Sequence, residues 1–256
     1  MLTEAQIHAF ITNGYICLEK AFPAEIARRC REILWKATAC NPNDPRTWTR
    51  PVVRIGELTT EPFRDAANTS ALHEAFDQLV GPENWLPRQS LGTFPIRFPY
   101  AQPANDTGWH VDASFPGENP TDFFHWRINV HSQGRALLML FLFSDVGSND
   151  APTRISEGSH QDIARLLSPY GEQGLSFMEV AHAIPSLPDR KEALATGLAG
   201  SVYLCHPLIV HAAQDHHGSQ PKFMAQPPLI TRRDLNLENR ASLFPVGLAI
   251  DQALQS

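Results

Sequence analysis

The run Ala136-Leu137-Leu138-Met139-Leu140-Phe141-Leu142-Phe143 is the longest apolar stretch of the chain. It is too short to cross a bilayer as a helix, which takes about 20 residues. Read as a strand, it has company on both sides. Thr93 to Phe98, Arg127 to His131, Ser201 to Leu204 and Phe223 to Gln226 are strand-like runs broken by Pro and Gly. Helical patterns dominate before Leu91. Helices first and strands after suit an α+β domain whose β core is a closed or sandwiched sheet.

The helical part carries clear punctuation. Thr3, with Gln6 three residues on and Ile7, Phe10 and Ile11 as apolar positions, predicts a capped amphipathic helix that Gly14 stops. Tyr15 to Leu18 reads as a short strand. Pro23 to about Thr38 predicts a longer helix, with Pro in its first turn and Ile26, Cys30, Ile33 and Leu34 on one face. Asn41 to Pro51 is loop. Ser70 to Val80 reads as a helix ended by Gly81-Pro82, and Gln161 to about Leu198 as an inserted helix, loop and helix. A length of 256 residues fits a single domain: a helical part at about 1–90, a β core at about 91–230 and an extension over 231–256.

A hydrophobic fraction of 43% supports a sizeable core, and a net charge of −6 gives nucleic-acid binding no electrostatic support. Cys17, Cys30, Cys40 and Cys205 are too few and too scattered for a disulfide framework. The first residues show neither a basic segment nor an apolar core of a signal peptide. A cytoplasmic, reducing setting is the expectation, with no membrane partner.

His110-Val111-Asp112, with His211 roughly a hundred residues later, is the constellation that speaks of chemistry. Residues at i and i+2 of an extended segment point to one side, so His110 and Asp112 can face one metal. A histidine from a distant strand completes three ligands on one face of an octahedron and leaves the other face open, the pattern of non-haem iron(II) sites. His206 competes with His211 for the third place. His216 and His217 read as loop residues.

The neighbours of this motif sharpen it. Gly108-Trp109-His110-Val111-Asp112-Ala113, Asp150 to Arg154 leading into Glu157-Gly158-Ser159-His160, Gly200 to Pro207, Ile209-Val210-His211 and Pro221 to Pro228 together resemble the phytanoyl-CoA dioxygenase family of 2-oxoglutarate oxygenases. The opening, Leu2 to Tyr15, resembles it too, so the likeness covers about residues 2–230. The resemblance implies a double-stranded β-helix of the jelly-roll, cupin-like type, with N-terminal and inserted helices. It also implies Fe(II), 2-oxoglutarate and O2 as cofactor and co-substrates, and oxidation of a small molecule with release of succinate and CO2. Hydroxylation is the default outcome, and Asp112 argues against halogenation because related halogenases lack this carboxylate. The family's distal ligand falls at His211 rather than His206.

The resemblance also implies a cation for the C5 carboxylate of 2-oxoglutarate, commonly an arginine eleven residues past the distal histidine. Lys222 stands there. Lysine keeps the charge and loses the bidentate fork. Arg135 and Arg97 are reserve candidates. Phe123-Phe124-His125-Trp126-Arg127 lines the substrate pocket, forms a lid or packs in the core; Trp109 packs beside the ligand segment, and Ser159-His160 holds a turn. Two other readings use the same residues: a metal-binding regulatory protein without turnover, and a zinc hydrolase, which lacks an evident general base.

Overall fold

The computed structural model describes residues 1–235, 237 and 240–255. In chain order the helices and strands are α1 (Glu4–Asn13), β1 (Tyr15–Leu18), α2 (Ala24–Thr38), β2 (Val52–Ile55), α3 (Glu61–Ala67), α4 (Ser70–Val80), β3 (Phe94–Arg97), β4 (Arg127–Ile128) and β5 (Arg135–Leu142). There follow β6 (Arg154–Ser156), α5 (Ser159–Leu167), β7 (Leu175–Ser176), α6 (Phe177–Ala183), β8 (Glu192–Leu194), β9 (Val202–Cys205), β10 (His211–Ala212), β11 (Met224–Ala225), β12 (Pro228–Ile230) and α7 (Pro245–Gln255).

The long apolar run is the centre of the fold. β5 pairs antiparallel with β9, β11 and β12, and β1 extends this five-stranded sheet beyond β9. All eight residues of β5 are buried, which is why its sequence does not alternate. Its two faces serve different clusters. Leu137, Met139 and Phe141 pack with Phe10, Phe22, Leu34, Phe63 and Phe76 from the helical layer. Leu138, Leu140 and Leu142 pack with Ile155, Tyr203, Cys205, Ile209 and Met224 on the other side. That second side faces the three-stranded sheet β10-β6-β8. The molecule is therefore mixed helix and sheet with a sheet-rich core.

The local signals for the helices act as expected. Thr3 forms a capping box with Gln6, and Gly14 closes α1 at φ 83°. A side chain there would meet both the strain of that φ and His160, whose Nδ1 lies 2.5 Å from an added Cβ. α2 buries Ala27, Cys30 and Leu34, with Ile26 and Ile33 partly buried beside them. α4 spans the expected residues.

The strands differ more. The run expected to continue to His131 stops at Ile128, because a turn follows in which Ser132 donates to the Asn129 carbonyl at 2.9 Å. Ser132 and Gly134 sit there at positive φ, 46° and 80°. β2, β6, β8 and β12 were not expected; each is three or four residues long and has no periodicity of its own, whereas β10 is the distant strand expected at His211. The insertion holds α5 and α6 as expected, but also β7 and β8.

Candidate metal centre and its pocket

His110 and His211 are brought together by their main chains. His110 N–H donates to the His211 carbonyl at 3.0 Å and His211 N–H to the His110 carbonyl at 2.9 Å, an isolated antiparallel bridge. Directly opposed residues of such a pair project to the same side, and the two rings lie 4.4 Å apart between centroids. Asp112 follows two residues on, while Val111 between them is buried with Ile128, Leu208 and Val210. The side chains of His110 and Asp112 do meet, although residues 111–114 belong to no strand.

Each imidazole is oriented by its own backbone. Nδ1 of His110 donates to the Gly108 carbonyl at 2.9 Å, and Nδ1 of His211 to the Ile209 carbonyl at 3.2 Å. A carbonyl only accepts, so the proton sits on Nδ1 and the lone pair on Nε2. Those Nε2 atoms lie 3.7 Å and 3.8 Å from Oδ1 of Asp112, and all three donor atoms fall within 4.8 Å of one another. The other carboxylate oxygen is committed elsewhere. Arg135 Nη1 donates to Oδ2 at 2.8 Å while its Nη2 donates to the Ala113 carbonyl at 2.9 Å.

The electrostatics suit a cation. Burial pushes the Asp112 carboxyl up, but Arg135 and the two imidazoles outweigh it and hold the group well below the usual carboxylate range. Burial, with His110 next, pushes His211 down to about 4, so at neutral pH it is an uncharged donor. The Gln226 side-chain amide lies 3.0 Å from His211 Nε2. Two imidazole nitrogens and one carboxylate oxygen thus face a common space, a donor set that suits a cation.

Neighbouring residues hold this arrangement in place. Ser159 Oγ accepts the Val210 N–H at 2.9 Å, immediately before His211. Arg154 stacks over Trp109 at 4.4 Å and donates to the Thr107 carbonyl at 2.9 Å, fixing the approach to His110. His206 lies outside the cluster: it accepts from Leu208 N–H at 3.1 Å, donates to the Val246 carbonyl at 3.1 Å and packs on His160. His216 bonds the Gln220 carbonyl and the Gly218 N–H.

A cavity of about 530 Å³ opens over the three donors. Lys222 lines it at 1% exposure, and its amine donates to the Ala151 carbonyl. Burial, and after it Arg97, pushes this amine down to about 7. Arg97 is the backbone partner of Lys222 and donates to Asp106 at 2.7 Å, a carboxylate that Arg54 also binds. Phe123 lines the cavity and packs on Phe177 at 5.4 Å, and Phe177 lies 5.7 Å from the His110 ring. Phe124 and Phe123 are 57% and 44% exposed, so neither is core packing. Trp126 donates its indole N–H to the Pro120 carbonyl.

Phe177, Arg54, Asp106 and Gln226 also line this cavity and were not expected there. Phe177 opens a helix of the insertion, where nothing local marks it. Arg54 and Asp106 are ordinary charges in sequence; the β2–β3 pairing sets Arg54 on the face of Arg97, and Asp106 joins them through its ion pairs with both.

No curated protein matches the sequence. Among solved structures, HygX from Streptomyces hygroscopicus with nickel and 2-oxoglutarate bound is similar over 88% of this chain and 86% of its own, at 16% identity and a TM-score of 0.55. EctD from S. alaskensis with 2-oxoglutarate and 5-hydroxyectoine is 19% identical over 90% of this chain and 76% of its own, with a TM-score of 0.55. The epimerase SnoN in complex with Fe3+, alpha ketoglutarate and nogalamycin RO gives 16%, 87%, 81% and a TM-score of 0.57. At such identities the likeness is one of fold. The family model for phytanoyl-CoA dioxygenase matches residues 10–224, and the chain therefore belongs to the phytanoyl-CoA dioxygenase family.

Proposed function

We propose that this protein is an Fe(II)- and 2-oxoglutarate-dependent oxygenase that hydroxylates a small molecule, with His110, Asp112 and His211 as the iron ligands. The observation that carries the reading is the gathering of two imidazole nitrogens and one carboxylate oxygen within 4.8 Å of one another, each imidazole turned by a backbone carbonyl on its Nδ1. Bound there, iron(II) with 2-oxoglutarate supplies O2 activation, releasing succinate and CO2 and oxidising a C–H bond of the substrate.

The chain's own contributions follow from its contacts. By holding Oδ2, Arg135 leaves Asp112 one oxygen that would be offered to a metal. Lys222 receives the C5 carboxylate, which once buried must be paired. Phe123 and Phe177 give the cavity an apolar wall beside His110. The two facing sheets, with the likeness to the three structures above, support a double-stranded β-helix over about residues 91–230 within a single domain. No described helix is long and apolar enough to cross a membrane.

The test is anaerobic reconstitution with Fe(II), followed by O2-dependent release of succinate from 2-oxoglutarate. One equivalent of iron and succinate formation support the reading. A zinc-loaded protein inert towards 2-oxoglutarate rules it out.

A further inference from the structure

We infer that the substrate is an organic acid with an apolar or planar body, its acid group received by Arg54; this rests on the reading of the site given above. The strand register supplies the first argument. β2 and β3 pair Arg54 with Pro95 and Val52 with Arg97, and Arg97 bridges to Lys222. Opposed residues of antiparallel strands share a face, so Arg54, Arg97 and Lys222 stand along one wall. Side-chain exposure falls from 54% at Arg54 to 5% at Arg97, and Lys222 is 1% exposed. The row therefore runs from the mouth of the cavity to its floor.

Charge supplies the second argument. In a chain of net charge −6, this cavity is lined by Arg54, Arg97, Arg135 and Lys222 against only Asp106 and Asp112. A divalent metal doubles that excess, and the 2-oxoglutarate dianion cancels half of the total. The loaded site thus still carries two uncompensated positive charges, which favour an anionic second ligand. One oxygen of Asp106, Oδ2, serves both Arg54 and Arg97, so neither guanidinium is used up by its ion pair. The other oxygen, Oδ1, is buried without a partner and would suit an ammonium group, but the positive excess around it opposes a cation.

Division of labour completes the case. Lys222 at the floor is placed for the co-substrate. Arg54 at the mouth stands with Phe123 and Phe177 around the same opening, so an acid whose body rests on the two rings has Arg54 for its charged end.

The probes are phenylacetate, phenyl phosphate and benzylamine, titrated calorimetrically into the full chain loaded with Ni(II) and 2-oxoglutarate, which does not turn over. The acids are expected to bind at least ~10-fold more tightly than the amine. Arg54→Met should weaken the acids ~10-fold with 2-oxoglutarate affinity unchanged, and Arg54→Lys should restore most of the loss. The tighter of the two acids identifies the acid group as carboxylate or phosphate. Equal or better binding of benzylamine overturns the inference, as does no binding of either acid. Acid affinity unmoved in Arg54→Met also overturns it, and reduces Arg54 to a latch on Asp106. Failure of 2-oxoglutarate itself to bind instead sinks the reading of the site, and this inference with it.

Discussion

Lys222 offers the sharpest test, because a lysine titrates where an arginine does not. Its amine is moved from 10.5 to about 7 by burial and by Arg97. At about 1.4 kcal/mol per factor of ten, charging it in the ligand-free pocket costs on the order of 5 kcal/mol. The folded value lies below the unfolded one. The amine is therefore charged and ready below about pH 7, and neutral above it. Above that point, capture of the C5 carboxylate requires uptake of a proton. The KM for 2-oxoglutarate should then climb about tenfold per pH unit above pH 7 and flatten below it. Lys222→Arg keeps its charge throughout, so its KM should not vary with pH, although the longer side chain leaves only partial activity. Lys222→Ala should raise KM at least ~10-fold at pH 6.5, with iron affinity unchanged. The stability sign is also fixed. Between about pH 7 and 10.5 the unfolded chain binds a proton that the folded chain lacks, so ligand-free stability rises with pH there, and Lys222→Met removes that slope. Steady-state succinate assays from pH 6 to 9 read the first effect and urea titrations the second. An unchanged KM in Lys222→Ala, or the same slope in Lys222→Arg, refutes the assignment.

Four further outcomes follow from the same geometry. His110→Ala, Asp112→Ala and His211→Ala should each abolish tight Fe(II) binding and turnover with the fold retained, while His206→Ala keeps metal; inductively coupled plasma analysis decides. Arg135→Met leaves a buried carboxylate without its cation, and should cost about 3–5 kcal/mol of ligand-free stability and 10–100-fold in metal affinity, read by Co(II) absorption. Phe123→Ala should leave uncoupled 2-oxoglutarate decay intact while product formation falls; a stability loss of several kcal/mol instead makes it a packing residue. Phe141→Ala, in the fully buried central strand, should cost about 3–5 kcal/mol in denaturant titration.

Legibility in the sequence followed how local the determining signal was. Thr3, Gly14 and the helix over Ser70–Val80 are set by caps and periodicity within a few residues, and these positions behaved as read. The 136–143 run was legible as a strand because nothing else of that length buries so well; that both its faces are covered depends on α2 and β6, far away in sequence. The short strands β6 and β8 owe their existence to pairing with each other and with β10, so no single segment announces them. At the site, the spacing of His110 and Asp112 brought those two to one side. The family likeness pointed to His211 over His206, and the structure puts His211 beside them and His206 elsewhere. Arg135, a reserve partner for 2-oxoglutarate on the sequence, lines the same cavity and donates to Asp112, a contact the sequence does not indicate. A salt bridge across 23 residues of chain leaves no trace in composition or period.

The main-chain bridge between His110 and His211 has a consequence for how such a centre is filled. Both imidazoles are aimed by carbonyls of their own segments, and the carboxylate by an arginine, so the protein's own hydrogen bonds orient the donors. A metal held there should then add to stability by mass action, in proportion to the logarithm of its free concentration over Kd, rather than as a condition of folding. Chelation should strip such a protein without melting it, and added metal should restart it without a refolding lag. The pool of folded chains and the pool of working chains become separate quantities, the second set by the supply of metal.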